Sequence, residues 1–388
     1  MSKKMLQKII LGAIVGISFL ILFFMTRQTS NEALQTDSRF VYNTAQIIGI
    51  ISDNRITPQI DDNEEAGSLA TLRQGTVIFQ VEVLRGDFVG QTLEASYHVN
   101  SPSHVDFQAG DRVSIRIFEF EGEIVITEIR YPERTGLLFM IIGLFLFFLC
   151  LIGGKRGILA VLSIIFTLVC VVVLLIPLIT LGYPVVPITL IILSLVAVVS
   201  ISLLAGLSAK GISAILGTLS GVMLAALFAF IAGILLHIDG YNMANYRAIT
   251  HLSDGARIGG LFISSVLVAA IGAIMDSCMS VASAMEEVKA AKPEISAKNL
   301  FKAGFNVSRD VMGTMSSTLI LAFVGGSLAM MIFMYTTDVS FNQLMNNDMI
   351  TMEIIMGVSG SFGIVLAAPI TALICAKLLI HVQAHKNN

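Results

Sequence analysis

From residue 136 to residue 376 the chain is a succession of long apolar runs separated by short polar breaks. Residues 136–154 carry no charge and end at Lys155 and Arg156, and 157–209 then continue for fifty-three residues without a charged side chain. A hydrocarbon core of about 30 Å needs only some 20 helical residues, so the second run is too long for one crossing. Pro177, Gly182, Pro184 and Pro187 interrupt it, which predicts two helices joined by a tight turn at LGYPVVP. Further apolar segments cover 211–238, 258–285, 311–337 and 354–376. At the other end, Lys3, Lys4 and Lys8 precede an uncharged stretch at 9–25, with Arg27 after it. No small-residue cleavage site follows, so 1–27 reads as an uncleaved anchor rather than a signal peptide. The pattern predicts eight spans.

Residues 31–134 follow a different rule. TVIFQVEVL places Val77, Phe79, Val81 and Val83 on one face against Gln80 and Glu82 on the other, and VSIRIF and EIVITEI repeat the period of two. Turns are marked at Arg85-Gly86-Asp87, Ala109-Gly110-Asp111 and Glu121-Gly122. About five short strands in this length predict a small β barrel, OB-like in its closure. His98 and His104 are read as surface residues rather than a metal pair, and the acidic stretch at 52–75 as a mobile excursion. The fold class expected is a polytopic α-helical membrane protein with an extracytoplasmic β domain. Its parts would be an anchor at 1–27, the β domain at 31–134, a seven-helix membrane domain at 136–380 with a connector at 286–310, and a tail at 381–388.

Composition sharpens this. Charged residues are 13 % of the 388 and hydrophobic residues 55 %, against about 25 % and 45–50 % in soluble domains. Seventeen of the twenty-seven acidic residues fall within 31–134, with eight basic ones and no lysine. Alternating eight spans from a cytoplasmic amino end puts all eleven lysines on the cytoplasmic side and the acidic domain outside, as the positive-inside rule requires. No basic surface suited to nucleic acid is present. Cys150, Cys170, Cys278 and Cys375 all lie in or beside apolar runs, so they read as packed apolar side chains without a disulfide or metal framework.

Chemistry concentrates at 258–335. Gly272, Asp276, Ser280 and Ser283 recur at three- or four-residue intervals toward Glu287, which puts them on one helix face. A carboxylate in hydrocarbon costs about 2.5–3.5 kcal/mol on insertion scales, so Asp276 either handles a proton or cation or is satisfied by neighbouring serines or Arg309. A second face carries Asn306, Asp310, Thr314 and Ser317, with Arg309 one position round. The small residues of GTMSSTLILAFVGG would equally serve helix packing. Glu286, Glu287, Lys292, Lys298 and Lys302 form either a solvated amphipathic surface or a docking face for a cytoplasmic partner. His237, Asp239, His251 and Asp254 could surround a cation, though at no recognised ligand spacing, and the i, i+4 pair His381 and His385 reads as a solvated face. Nucleophile-elbow, zinc-protease and phosphate-loop motifs are absent, so neither an enzyme nor a cofactor is expected.

At GAIMDSCMSVASAMEEV and VSRDVMGTMSSTLILAFVGG the sequence resembles the YibE/F-like family of bacterial multipass proteins, whose layout of anchor, small extracytoplasmic domain and helical block it shares. MDSCMSVASAMEE and SRDVMGTMSSTL are also similar, more faintly, to SecD/SecF and the resistance–nodulation–division exporters, where an intramembrane acid precedes a charged stretch and a re-entering helix. These resemblances imply a cell-membrane protein. The expected function is an exporter or permease, proton- or cation-coupled through Asp276. The alternatives are an accessory subunit of a secretion or envelope complex, or the membrane half of an ATP-driven transporter. Expected partners are the bilayer, a cargo not specified by the sequence, and a membrane or cytoplasmic protein.

Overall fold

A computed structural model describes residues 38–55, 75–99, 105–120, 123–243, 258–337 and 339–384. The anchor at 1–27, most of the 52–75 stretch, His104, His251, Asp254 and His385 lie outside the described residues. The chain divides into two compact units, Ser30–Phe148 and Leu149–Asn388, the latter together with Met1–Thr29.

The first unit is a closed five-stranded barrel of β1 (Ser38–Asp53), β2 (Gly75–Arg85), β3 (Thr92–Val99), β4 (Arg112–Phe120) and β5 (Glu123–Pro132), in the order β1-β2-β3-β5-β4. Neighbours are antiparallel except β3 and β5, whose parallel contact at Ser96 and Glu128 closes the ring. The alternation in β2 is real: Val77, Phe79, Val81 and Val83 point inward and meet Ile115, Ile117 and Ile129 in a continuous core. β1 serves two partners. Residues 38–46 pair with β4, and the strand then passes three register shifts as it pairs with β2. Such bulges let one strand turn a barrel corner. Gly86 turns β2 toward β3 at φ 114°, where a side chain would collide with the buried Asn43.

Five helices among the described residues are long and apolar enough to cross a membrane, or six if one bent pair counts as a single span. Helix α1 (Thr135–Val169) continues through a π-helical turn at Cys170–Leu175 into α2 (Ile176–Thr180). Pro177 has no N–H for the helical ladder, and the widened turn precedes it. At Gly154 the backbone leaves helical space (φ 53°, ψ −131°), so α1 is broken there. None of residues 135–156 is buried, in keeping with a helix apolar all round. The turn expected at LGYPVVP separates α2 from α3 (Val185–Ala205), and α4 (Ala209–Leu236) follows, capped by the Ser208 hydroxyl.

Helix α5 (Leu261–Ala291) and α6 (Ala297–Gly326) extend the expected spans into the polar connector. Only Lys292–Ser296, with Pro293, remains between them, not the whole of 286–310. α6 bends by 56° into α7 (Leu328–Thr336) at Ser327. A short α8 (Phe341–Met345) leads to the last helix, α9 (Asp348–Ala384).

The helical core is built on small residues. Ser213, Gly217, Gly221, Ala225 and Ala229 repeat every four positions along α4, and all are buried. Ser359, Gly363, Ala367, Thr371 and Cys375 repeat the spacing along α9, again buried. The two ridges interlock: a Cβ on Gly217 would strike the Thr371 hydroxyl, and one on Gly221 would lie 2.5 Å from the Ala367 methyl and 2.8 Å from Ile274 of α5. Thr189 of α3 and Ser264 of α5 share a buried hydrogen bond of 2.6 Å, and Phe228 stacks on Phe362 at 4.6 Å. Lipid offers helices no hydrophobic drive to associate, so close approach and such bonds carry the assembly.

Candidate functional site

The expected polar stripe on α5 exists. Gly272, Asp276, Ser280 and Glu287 are exposed and Ser283 is half-buried, on the face opposite Ile274, Cys278, Val281 and Met285 of the core. The periodicity dictates this, because four-residue steps hold one face of a helix. The Asp276 side chain has neither a hydrogen bond nor an ion pair among the described residues. Neither Ser280, Ser283 nor Arg309 bonds to it in the structure.

Its depth follows from a neighbouring contact. Lys210 at the start of α4 and Glu286 near the end of α5 form an ion pair of 3.2 Å, with both side chains partly exposed. Asp276 is ten residues from Glu286, or about 15 Å along the helix, which is half the thickness of a hydrocarbon core of about 30 Å. Asp276 is the middle residue of α5.

Helix α6 runs antiparallel to α5 and in step with it. Gly304 packs on Met285, and fifteen residues further along each helix Leu319 and Ala270 meet on either side of Gly360 of α9. Arg309 is therefore level with Ser280, Gly313 with Asp276, and Ser317 with Gly272. Asn306, Arg309, Asp310, Thr314 and Ser317 are all exposed, opposite the buried Leu300, Gly304, Ser308 and Leu319. Thr314 and Ser317 donate to backbone carbonyls one turn back. The Arg309 guanidinium lies over the Phe305 ring, 4.9 Å from its centroid, and Arg309 and Asp310 have no ion pair among the described residues. Asp276 and Asp310 thus share a depth range and an outward orientation without touching.

Glu286, a docking candidate, is committed to Lys210. Glu287, Lys292, Lys298 and Lys302 are exposed. Lys289 donates to the carbonyl oxygens of Pro293 (2.6 Å) and Ile295 (3.4 Å), fixing the turn between α5 and α6. His237, in left-handed conformation at the end of α4, and Asp239 sit at the rim of an apolar cavity of about 810 Å³ lined by Met223, Phe230, Ile234 and Phe262. Asp239 caps the following turn through Tyr241 N. No three His, Cys, Asp or Glu side chains among the described residues cluster as metal ligands. His98 lies on the barrel surface, bonded to the Thr76 hydroxyl at 2.9 Å. Cys170, Cys278 and Cys375 are buried and Cys150 is half-buried, all as free thiols.

Three features escaped the sequence reading: the Lys210–Glu286 pair, the small-residue ridges of α4 and α9, and Glu353, half-buried in the first turns of α9. The ridges had a signal, since ISAILGTLSGVMLAALFA repeats a small residue every four positions.

Comparison with curated proteins and with solved structures finds no match. Residues 141–381, more than half of the chain, match the family described as YibE/F-like protein. The match spans the helical block with both polar stripes, and with its succession of apolar helices it identifies a multipass membrane protein. The chain belongs to the YibE/F-like family.

Proposed function

We propose that this chain is a transporter of the bacterial cell membrane, an exporter or permease driven by proton or cation movement through Asp276. The observation that carries the reading is an exposed carboxylate at the middle of α5 with no hydrogen bond or ion pair among the described residues. Such a group is costly in lipid and is characteristic of ion and proton pathways. Eight spans are assigned: the anchor at 1–27, 135–153 and 155–180 on either side of the Gly154 break, α3, α4, α5, α6 with α7, and α9. The amino and carboxyl ends and the Lys210–Glu286 pair are cytoplasmic, and the barrel is outside. The barrel's Greek-key order fits an OB-like fold. Its exposed Phe40, Tyr42 and Tyr131 suit it to receiving cargo or a partner. Phosphate-loop residues for an ATP engine are absent from the sequence, and the reading is of a non-enzymatic protein.

The test is ion flux in proteoliposomes. Vesicles with the full chain and an imposed potassium diffusion potential should change the signal of a trapped pH-sensitive dye, or of a trapped Na⁺-sensitive dye in Na⁺-containing buffer, faster than empty vesicles. Asp276→Asn, inserted at equal level, should return the rate to that of empty vesicles. Wild-type vesicles no faster than empty ones would favour the second reading, an accessory subunit of an envelope complex in which Asp276 serves assembly.

A further inference from the structure

The outer face of α6 combines two properties that do not belong in contact with lipid. One is smallness. A Cβ placed on Gly313, which shares the face of Arg309 and Asp310, would meet nothing within 4 Å, whereas the small residues of α4 are consumed inside the fold. Small residues in a span allow another backbone to approach closely, and here none of the described elements does.

The other property is a balanced pair of charges. Arg309 and Asp310 are both exposed and neither has an ion pair among the described residues. As sequence neighbours they point about 100° apart around the helix and do not face one another. Both lie some 9–11 Å below the Lys210–Glu286 level by helix rise, within the hydrocarbon region. What covers this face must supply an acid to Arg309 and a base to Asp310 at a single depth. A second copy of the chain, related by a two-fold axis along the membrane normal, does so by construction: the axis keeps every residue at its own depth.

We infer that the chain is a homodimer across the outer face of α6, with the Arg309 of each copy paired to the Asp310 of the other. The two reciprocal pairs leave no net charge at the interface. Gly313 is level with Asp276, so the carboxylate lies at the height where the partner copy presents only glycine and the Thr314 hydroxyl. That leaves room for water and a hydrogen-bonding group beside Asp276, which has no such partner among the described residues. The inference rests on α5 and α6 spanning the membrane, and not on transport.

The test uses the full chain in membranes. Gly313→Cys, oxidised with copper phenanthroline, should give a species of twice the monomer mass. Wild type should not, because three of its four thiols are buried and Cys150 lies in α1 rather than α6. Two differently tagged wild-type copies should co-purify. Arg309→Asp and Asp310→Arg should each reduce crosslinking of the Gly313→Cys protein at least fivefold, and the double exchange should restore at least half of it. Asp276→Asn should leave crosslinking unchanged, which separates dimerisation from the transport reading. Inserted protein that neither crosslinks nor co-purifies would overturn the inference. So would crosslinking to a protein of different mass, single reversals without effect, or a double exchange that fails to recover.

Discussion

At the scale of single residues, the fold treats its small and charged side chains according to the face they occupy. Gly221 and Gly313 illustrate this within one chain. A methyl on Gly221 would press on Ala367 and Ile274, whereas one on Gly313 would meet open space. Overpacking of a closely packed interior costs about 1–3 kcal/mol or more. Gly221→Val should therefore lower the midpoint of thermal unfolding in detergent and shift the protein toward aggregates in size-exclusion chromatography. Gly313→Val should leave the midpoint of the monomer unchanged. Equal midpoints for the two variants would contradict the assignment of the α4–α9 contact as the tight one. Asp276 contrasts with both: helix periodicity alone placed it on a polar stripe, and the fold leaves that stripe outward with the carboxylate unpartnered among the described residues.

At the scale of elements, the junction between barrel and first helix has its own electrostatic signature. Glu133 accepts hydrogen bonds from the Thr135 hydroxyl and N–H and from the Thr44 hydroxyl, with Arg85 nearby, and these hold its carboxyl below the usual range. A depressed acid stabilises the fold above its unfolded pKa of about 4.3, and that contribution disappears as pH falls through the folded value. Fragment 30–136, which keeps Thr135 but not the apolar helix, should show a β-type circular dichroism spectrum and lose stability below about pH 4.5. Glu133→Gln should lessen that acid dependence, and an unchanged acid limb would refute the role. Sequence made β2, β4 and β5 legible because their apolar positions alternate without interruption. β1 and β3 were not legible individually. Register shifts in β1 break its alternation, so that Ile47 is buried while Ile48, Ile50 and Ile51 are exposed. β3 fully buries only the small Ala95 and Val99, with Leu93 and Tyr97 half-buried against the core. The charges Lys155 and Arg156 marked the break near residue 154, and proline with glycine the one near residue 182. Charge was a poorer guide to the connector, because α5 and α6 continue as helix well beyond their apolar parts, with only Pro293 and its neighbours between them.

At the scale of the whole molecule, the stripes were readable from periodicity, but their orientation was not, since a period says which residues share a face and not what that face meets. The eight-span assignment makes a direct prediction. In intact cells, an impermeant thiol reagent should label Val89→Cys on the exposed barrel turn and spare Ala291→Cys at the end of α5, and the reverse pattern would contradict the topology. The central claim is narrower: Asp276 stands at mid-membrane beside water rather than sealed in lipid. Methanethiosulfonates react with thiolates, which form only where water reaches. Asp276→Cys in reconstituted protein should therefore be modified by a water-borne methanethiosulfonate within minutes, whereas the buried Cys278, two residues along the same helix, stays silent. Modification of Asp276→Cys by a lipid-soluble maleimide alone, with no reaction from the aqueous phase, would contradict the account.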